Sequence, residues 1–338
     1  MPKPALKNLQ HTPDWQQQLA QAITDPAELL GLLQIEPQQF PRFSEACQHF
    51  SLKVPLSYIA KMTTGDINDP LLKQVMATAL ELDLATGYHA DPTGDLDAMP
   101  IPGLLHKYQG RALLITTGAC AIHCRYCFRR HFPYADNHSS HNHWHQAIHY
   151  LEQHTNISEI ILSGGDPLVL SDHKLSKLIH QLSNIPHIRR LRIHSRLPIV
   201  LPERITHELC QTLTQNRLRT SLVIHANHAR EIASAETQAL TRLNEAGITL
   251  LNQSVLLKDI NDSYQTLVDL SERLYEAQVL PYYLHVLDPV QGAAHFDVEE
   301  NHAIKLIEQM RTVLPGYLVP RLVREIPGKN SKIPVNEL

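Results

Sequence analysis

Short runs of apolar and β-branched residues alternate along this chain with longer segments whose apolar positions repeat with the period of a helix. The helical segments with the clearest end signals span residues 171–182, 234–246 and 263–277. This alternation is typical of parallel strands joined by helices, so it predicts an α/β fold. The predicted strands occupy residues 113–117, 159–163, 191–195, 221–225, 249–254 and 282–287, with a seventh candidate at 318–323.

After the first unit, the predicted strands begin about every 30 residues, a spacing that favours a barrel or part of a barrel. A doubly wound open sheet would produce the same alternation, so the period alone leaves both folds open. In both folds the chemistry is found at the carboxyl ends of the strands. Side chains near those ends are therefore the first candidates for a functional site.

The first part of the chain has a different pattern, with helical stretches and no convincing ladder of strands. The helical stretches are residues 14–23, 26–33 and 70–82. Residues 91–103 contain three prolines and two glycines, which predicts a connector. We therefore expect a helical N-terminal cap over 1–105, a barrel over 106–315 and a C-terminal segment over 316–338.

Composition narrows the class of partner. The 338 residues include 34 acidic and 30 basic side chains, giving a formal net charge of −4, which argues against an electrostatic nucleic-acid binder. No apolar run approaches the ~18–20 residues needed to cross a bilayer, and no secretion signal is recognisable at the start. We therefore expect a cytoplasmic protein with a small-molecule substrate.

Histidine is unusually frequent, with 22 residues in the chain and seven of them between 131 and 154. A metal-sensing tract is one interpretation. The spacing contains no HExxH or paired Cys/His order, so a solvated linker and helix face is the interpretation we favour.

Three cysteines carry the strongest chemical signal. Cys120, Cys124 and Cys127 form a CxxxCxxC motif directly after the first predicted strand. A structural zinc site takes four ligands, and a ferredoxin run has four cysteines with other gaps. Three thiolates on a [4Fe–4S] cluster would leave one iron open to an external chelating ligand.

This spacing, with the aromatic Tyr126 before the third cysteine, resembles the signature of the radical S-adenosylmethionine (SAM) superfamily. The resemblance implies a parallel (β/α)6-type partial barrel, a [4Fe–4S] cluster on the three cysteines, and SAM on its open iron. Ser163-Gly-Gly-Asp-Pro167 follows the next predicted strand. An ordinary turn would explain those glycines, but radical SAM proteins use a corresponding glycine motif to bind SAM.

The resemblance narrows to the lysine 2,3-aminomutase family, and it covers approximately residues 55–334. The stretches that carry it include residues 102–104, 111–116, 127–130, 162–167, 192–198, 225–228, 252–262 and 327–332. The family also uses pyridoxal 5′-phosphate (PLP), bound as a Schiff base to a lysine that follows a Pro-Gly-rich stretch. The spacing from Pro327 matches that lysine to Lys332, although Lys329, which replaces a glycine, is a rival.

The resemblance also implies roles for individual residues. Arg129 matches the arginine that binds the substrate carboxylate, whereas Asp288 and Glu325 match the two acids around the ε-ammonium of lysine. The second acid is aspartate in the lysine-degrading members, and Lys107 replaces a family arginine. Asn227 matches a position facing the cofactors without an assigned role. The implied cofactor contacts are Gly164, Gly165, Asp166 and His225 for SAM, and Lys332, Arg111 and Gln253 for PLP.

The implied activity is an isomerisation of L-α-lysine to (R)-β-lysine by 1,2-amino migration. The chain most resembles family members that supply β-lysine for modification of elongation factor P, so that factor and its lysyl-transferring enzyme are the expected functional partners. A one-electron donor such as reduced flavodoxin is also implied, and no structural zinc is expected. An aminomutase for glutamate or another amino acid, or a non-enzymatic iron–sulfur carrier, remain alternatives. Whether lysine is free or protein-attached stays open.

Overall fold

One mixed sheet organises the molecule. The computed structural model describes residues 14–134 and 141–335, with residues 141–143 described as backbone only. The strands are β1 Leu104–Tyr108, β2 Arg111–Thr117, β3 Glu159–Gly164, β4 Arg190–Ser195, β5 Arg219–Ile224, β6 Thr249–Val255, β7 Leu280–His285, β8 Arg321–Arg324 and β9 Ile333–Pro334.

Helices precede the sheet and connect its strands. Within the described residues, those before the sheet are α1 Trp15–Ala20, α2 Pro26–Leu32, α3 Phe43–His49, α4 Leu56–Ile59 and α5 Pro70–Lys73. Those that follow β2 are α6 His141–Gln153, α7 Asp172–Ser183, α8 Leu197–Val200, α9 His207–Thr214, α10 Ser234–Glu245, α11 Tyr264–Glu276 and α12 Glu300–Val313. No helix among the described residues is long and apolar enough to cross a membrane.

The spatial order of the strands is the same as their order in the chain, from β1 to β9. Strands β2 to β8 pair in parallel, while β1 and β9 add antiparallel strands at the two edges. A doubly wound sheet reverses its winding at a switch point, and this sheet never does. The sheet is also not closed, so the predicted partial barrel is confirmed and the doubly wound alternative is wrong.

The strand predictions hold with small shifts at the ends. All six predicted strands are present, and the seventh candidate is confirmed as the shorter β8, because residues 316–318 form a 3₁₀ turn instead. The predicted strand at 282–287 begins and ends two residues earlier, as β7. The flanking strands β1 and β9 were not predicted, since β1 follows a proline-rich connector and β9 has only two residues.

The three barrel helices with clear end signals are confirmed to within one residue as α7, α10 and α11. In contrast, the predicted helix over residues 70–82 is wrong: α5 ends at Lys73, and a separate 3₁₀ turn begins at Ala79. Asp69 caps the first segment, and the Glu81 carboxylate accepts a hydrogen bond from the backbone N–H of Thr78 at 3.3 Å where the second begins. The first predicted helix, 14–23, shortens to α1.

Buried ion pairs fasten the helical N-terminal residues to the barrel. Glu81 accepts two hydrogen bonds from the guanidinium of Arg125, at 2.8 and 2.5 Å, and a third at 2.6 Å from Arg130. Arg125 is completely buried, and it also donates to the carbonyl oxygen of Phe50 at 2.6 Å. Because both arginines lie in or next to the cysteine motif, the N-terminal residues help fix that loop.

Replacing Glu81 by glutamine should therefore destabilise the fold. The change leaves two buried guanidinium groups without their carboxylate, a defect that costs about 3–5 kcal/mol in comparable buried pairs. The free energy of unfolding from urea titrations measures the loss. Glu45→Gln is the matched control, because it removes an exposed pair with Arg42 and should leave stability almost unchanged. Equal losses in the free energy of unfolding for the two variants would contradict a stabilising role of the Glu81 ion pairs.

Candidate active site inside the partial barrel

A cavity of about 710 Å³ brings together the expected site residues except Asn227, which is fully buried and donates to Gln74 and to the Tyr126 hydroxyl instead. It runs along the strands: Arg111 begins β2 and the cysteine loop follows its last residue, a separation of about 20 Å at ~3.3 Å per residue. The cavity therefore has room for a cofactor at each end and a substrate between them. Its lining includes Cys120, Cys124, Cys127, Gly164, Gly165, Asp166, His225, Arg111, Gln253, Lys332, Arg129, Asp288 and Glu325.

Backbone hydrogen bonds within the cysteine loop and to the N-terminal residues fix its shape. The backbone N–H of Cys127 donates to the carbonyl of Cys124 at 3.0 Å, and the backbone N–H of Arg125 donates to the carbonyl of Gln74 at 2.9 Å. Burial raises the pKa of Cys127 to about 11, and burial followed by the neighbouring thiolates raises the pKa of Cys120. Cys120 and Cys127 are therefore neutral thiols in the empty site, and a metal cluster that binds them as thiolates must displace their protons.

The thiols fit a cluster better than a single ion. Among the described residues, no three His, Cys, Asp or Glu side chains converge closely enough to hold one metal ion. In an iron–sulfur cluster each thiolate binds its own iron, so the sulfurs stand apart around the cluster. The three cysteines line one cavity without converging on a single point, as such ligands would.

The two glycines at the end of β3 allow backbone segments of the protein to approach each other closely. A Cβ on Gly165 would lie 2.3 Å from the carbonyl oxygen of Ala119, and Gly164 has a φ of +117°. The N–H of Gly165 donates to the carbonyl of Thr117 at 2.7 Å. The two glycines thus let the end of β3 pack directly against the start of the cysteine loop.

Asp166 organises the next strand end. Its carboxylate accepts hydrogen bonds from the Ser195 hydroxyl at 2.8 Å and from the backbone N–H groups of Leu168, Arg196 and Leu197 at 2.8–3.2 Å. Burial raises its pKa, while these donors oppose the rise. Because its carboxylate oxygens already accept four hydrogen bonds, Asp166 stabilises the turn after β4 and orients Arg196.

Five charged side chains that line the cavity form a row with alternating sign. Arg129 donates to Asp95 at 2.6 Å, and Lys107 pairs with the other Asp95 oxygen at 2.5 Å. Glu325 then joins Lys107 at 2.9 Å and Lys332 at 2.6 Å. Burial raises the pKa of Glu325, but the two lysines outweigh it and lower the value to about 2. We call this set the charge row.

Asp95 is the most buried member of the charge row. Burial raises its pKa, but Arg129 and Lys107 outweigh the effect and hold the pKa well below the usual range. The rival lysine of the sequence, Lys329, is exposed and does not line the cavity, whereas Lys332 does.

Asp288 behaves differently from the acids of the charge row. It follows β7, and burial raises its pKa to about 7 although Lys332 acts in the opposite direction. Among the described residues, no hydrogen-bond donor reaches its carboxylate. Near Lys332 the cavity therefore contains one acid that is ionised at all ordinary pH values, Glu325, and one that titrates near neutrality, Asp288.

The other expected cofactor contacts occupy separate positions. His225 follows β5, hydrogen-bonds the Tyr126 hydroxyl through Nε2 at 2.8 Å, and is kept neutral by burial, which lowers its pKa to about 3. Gln253 lines the cavity from β6. Arg111 stacks its guanidinium on the Tyr108 ring, 4.5 Å from the ring centre.

Two residues of the site escaped the sequence analysis. Asp95 lies in the connector, where neighbouring residues are also acidic, so nothing in the sequence distinguished it as a site residue. Arg196 belongs to a stretch that resembles the family, but nothing in the sequence indicated that it reaches Cys124. Of the histidine-rich tract, His138 and the side chains of His141 and His143 lie outside what the structure describes.

Known proteins resemble this chain well beyond the cysteine loop. A family model described as the radical SAM superfamily matches residues 114–270. The chain is 50% identical to the L-lysine 2,3-aminomutase of Escherichia coli (strain K12), over 96% of this chain and 94% of that protein. It is 46% identical to the same-named protein of Haemophilus influenzae, over 94% of both chains. The protein of that name from Clostridium subterminale is 35% identical, over 95% of this chain and 77% of its own length.

A methyl group on Gly165 should disrupt the cysteine loop. Gly165→Ala places a carbon within 2.3 Å of the Ala119 carbonyl oxygen, so the loop must move away from the end of β3. We expect less iron and sulfide per chain after anaerobic reconstitution, measured against total protein. Gly316→Ala is the control, because nothing lies within 4 Å of its added carbon. Full iron loading of Gly165→Ala would refute the claim that the cysteine loop requires a residue without a side chain at this position.

Proposed function

The chain belongs to the L-lysine 2,3-aminomutase family of radical SAM enzymes, and we propose that it converts L-α-lysine to (R)-β-lysine. The family consists of isomerases that use a [4Fe–4S] cluster, SAM and PLP. When bound, these groups supply a radical that removes hydrogen from an unactivated carbon and a π-system through which nitrogen moves to the neighbouring carbon. The residues of this chain bind, orient and charge-balance the substrate.

The charge row is the observation that supports lysine as the substrate. Arg129 at one end presents a guanidinium, the group best shaped to bind a carboxylate. At the other end, Glu325 and Asp288 lie near Lys332, which we propose carries PLP. A substrate with a carboxylate at one end and an ammonium at the other matches this order of charges.

The same acids disfavour glutamate. A second carboxylate placed about 4 Å from Glu325 would be repelled by about 4 kcal/mol at an effective dielectric constant near 20. That energy corresponds to roughly a thousandfold loss of affinity. An ammonium at the same point gains a comparable attraction, so the sign of charge at this end selects the substrate.

Glu325 is also placed to exchange partners. One of its oxygens faces Lys107 and the other faces Lys332. When the Lys332 nitrogen is committed to PLP, the second oxygen loses its ammonium partner. We infer that the ε-ammonium of an arriving substrate then takes this position, while Lys107 keeps its pair with the other oxygen.

All three regions of the chain contribute to the proposed site. We propose a cap over 1–105 that supplies Asp95, a barrel over 106–315 that supplies the cysteines and Arg129, and a C-terminal segment over 316–338 that supplies Lys332. The ion pairs between Asp95, Lys107 and Glu325 cross both boundaries. The three regions are therefore successive parts of the chain, and each of them contributes residues to the one proposed site.

We propose further that the β-lysine serves the modification of elongation factor P through its lysyl-transferring enzyme. Reduced flavodoxin, or a donor like it, would supply the electron, and the cytoplasm is the compartment we propose. These assignments are supported by the resemblance of the sequence and not by any contact in the site.

Reconstituted protein should form β-lysine from free lysine. The assay combines SAM, PLP, dithionite and isotopically labelled L-lysine under anaerobic conditions, with the product followed by mass spectrometry. Cys124→Ala should reduce the product to the background without enzyme, because the cluster loses one of its three ligands. Cleavage of SAM with unchanged lysine would contradict the substrate while leaving the cluster assignment standing.

Two lysine variants accompany this assay as a matched pair. Lys332→Arg should abolish the visible absorption of protein-bound PLP, whereas Lys329→Arg, on the exposed rival, should keep it. The reverse result would transfer the cofactor to Lys329.

Lysine binding should strengthen as the pH rises through 7. Asp288 has a pKa of about 7 in the empty site, and this pKa rises further when PLP takes the Lys332 ammonium that lowers it. Because Asp288 must ionise to pair with the ε-ammonium, affinity should rise by up to tenfold per pH unit through neutrality. His194 and His285 do not interfere, because burial lowers their pKa values well below 6.5. Equilibrium dialysis of labelled lysine against PLP-loaded protein at pH 6, 7 and 8 measures the slope.

Asp288→Asn should bind lysine more weakly at pH 8 and lose this slope. The control is Asp269→Asn, an exposed acid on α11, which should keep both the affinity and the slope. An unchanged slope in Asp288→Asn would assign the titration to another group.

A further inference from the structure

Arg196 makes a contact that no role above uses. It follows the last residue of β4, and its Nη1 donates a hydrogen bond to the Sγ atom of Cys124 at 2.7 Å. Its side chain is only 7% exposed. Among the described residues, Cys124 is the one cysteine of the motif whose sulfur accepts a side-chain hydrogen bond. The three proposed cluster ligands are therefore not equivalent.

Other contacts hold this guanidinium firmly in place. Its Nη2 donates to Gln74 at 2.6 Å, to Glu231 at 2.8 Å and to the Tyr58 hydroxyl at 3.1 Å. The backbone N–H of Arg196 donates to Asp166 at 2.8 Å. Since Nη2 serves these acceptors, the second terminal nitrogen remains directed at the sulfur.

We propose that Arg196 is a positioning residue that fixes the Cys124 thiolate and raises the reduction potential of the cluster bound there. The inference rests on the proposed function, because it requires the cluster on Cys120, Cys124 and Cys127. The fit is chemical: a cationic donor at hydrogen-bond distance from a sulfur suits a thiolate that is bound to iron.

The direction of the effect follows from electrostatics. One electron from an external low-potential donor converts the oxidised cluster to the reduced cluster and adds one negative charge to it. A nearby cation stabilises the reduced form more than the oxidised form, and hydrogen bonds to the sulfurs act in the same direction. Arg196 itself exchanges neither a proton nor an electron. Glu231 moderates the effect because it partly neutralises the guanidinium.

The test is a redox titration of the cluster, followed by electron paramagnetic resonance without SAM or lysine. Arg196→Gln keeps a hydrogen-bond donor and removes the charge, so we expect about a tenfold weaker reduction at a fixed potential. For one electron this corresponds to a midpoint about 59 mV more negative. Arg196→Lys keeps the charge but loses the planar fork, and its midpoint should lie between the two.

Arg204→Lys is the matched control. Arg204 is also fully buried and follows β4, but it donates to the carbonyls of Leu168 and Leu170 and to Asp172, and to no sulfur. Its replacement imposes a similar burial defect and should leave the midpoint unchanged.

Several outcomes would overturn the inference. One is that Arg196 variants holding four irons keep the wild-type reduction midpoint. The inference also fails if those variants change only in their affinity for SAM. Another is failure of both variants to hold four irons while Arg204→Lys does, which would leave a purely structural role. If the wild-type protein itself took up no cluster, the proposed function would fail instead, so the two failures are distinguishable.

Discussion

Compensation of buried charge is the constraint on which this site depends. Removing an ion from water costs several kcal/mol even after a protein relaxes around it, so a buried charge persists only with a partner. Arg125 and Arg130 share Glu81, and Arg196 has Glu231. Each of these pairs involves an element outside the cysteine loop. The shape of the loop is therefore a consequence of where the acids lie.

This constraint gives the N-terminal residues a part in the chemistry. Glu81 and Asp95 both precede β2, yet each is nearly buried and each neutralises an arginine next to the cysteines. Gln74 and Tyr58 come from the same part of the chain and contact Arg196. If these residues were displaced, the barrel would retain its strands but bury unpaired cations at its mouth. Folding of the cap and assembly of the site are thus coupled.

Local patterns in the sequence predicted what local forces determine. The period of the strands and the spacing of the cysteines are properties of short segments; the strands are confirmed in the structure, and the three cysteines of the motif line one cavity there. Partners across long separations were not predictable, since Asp95 meets Glu325 only through Lys107. The wrong helix over residues 70–82 has the same origin, because Gln74 turns its side chain to Glu231 and Arg196 after α5 ends. Tertiary hydrogen bonds there override helical periodicity.

The balance of charge on the substrate side explains why Asp288 differs from its neighbours. The charge row has three cations, Arg129, Lys107 and Lys332, and two anions, Asp95 and Glu325. Ionised Asp288 would bring this sum to zero, but burial opposes its charge, and the pKa settles near 7. An arriving ammonium shifts that balance toward the ionised form, while the carboxylate of the same molecule occupies the free donors of Arg129. A substrate carrying both charges therefore completes the neutralisation that the empty cavity leaves unfinished, which ties binding to the presence of an ammonium at one end and a carboxylate at the other.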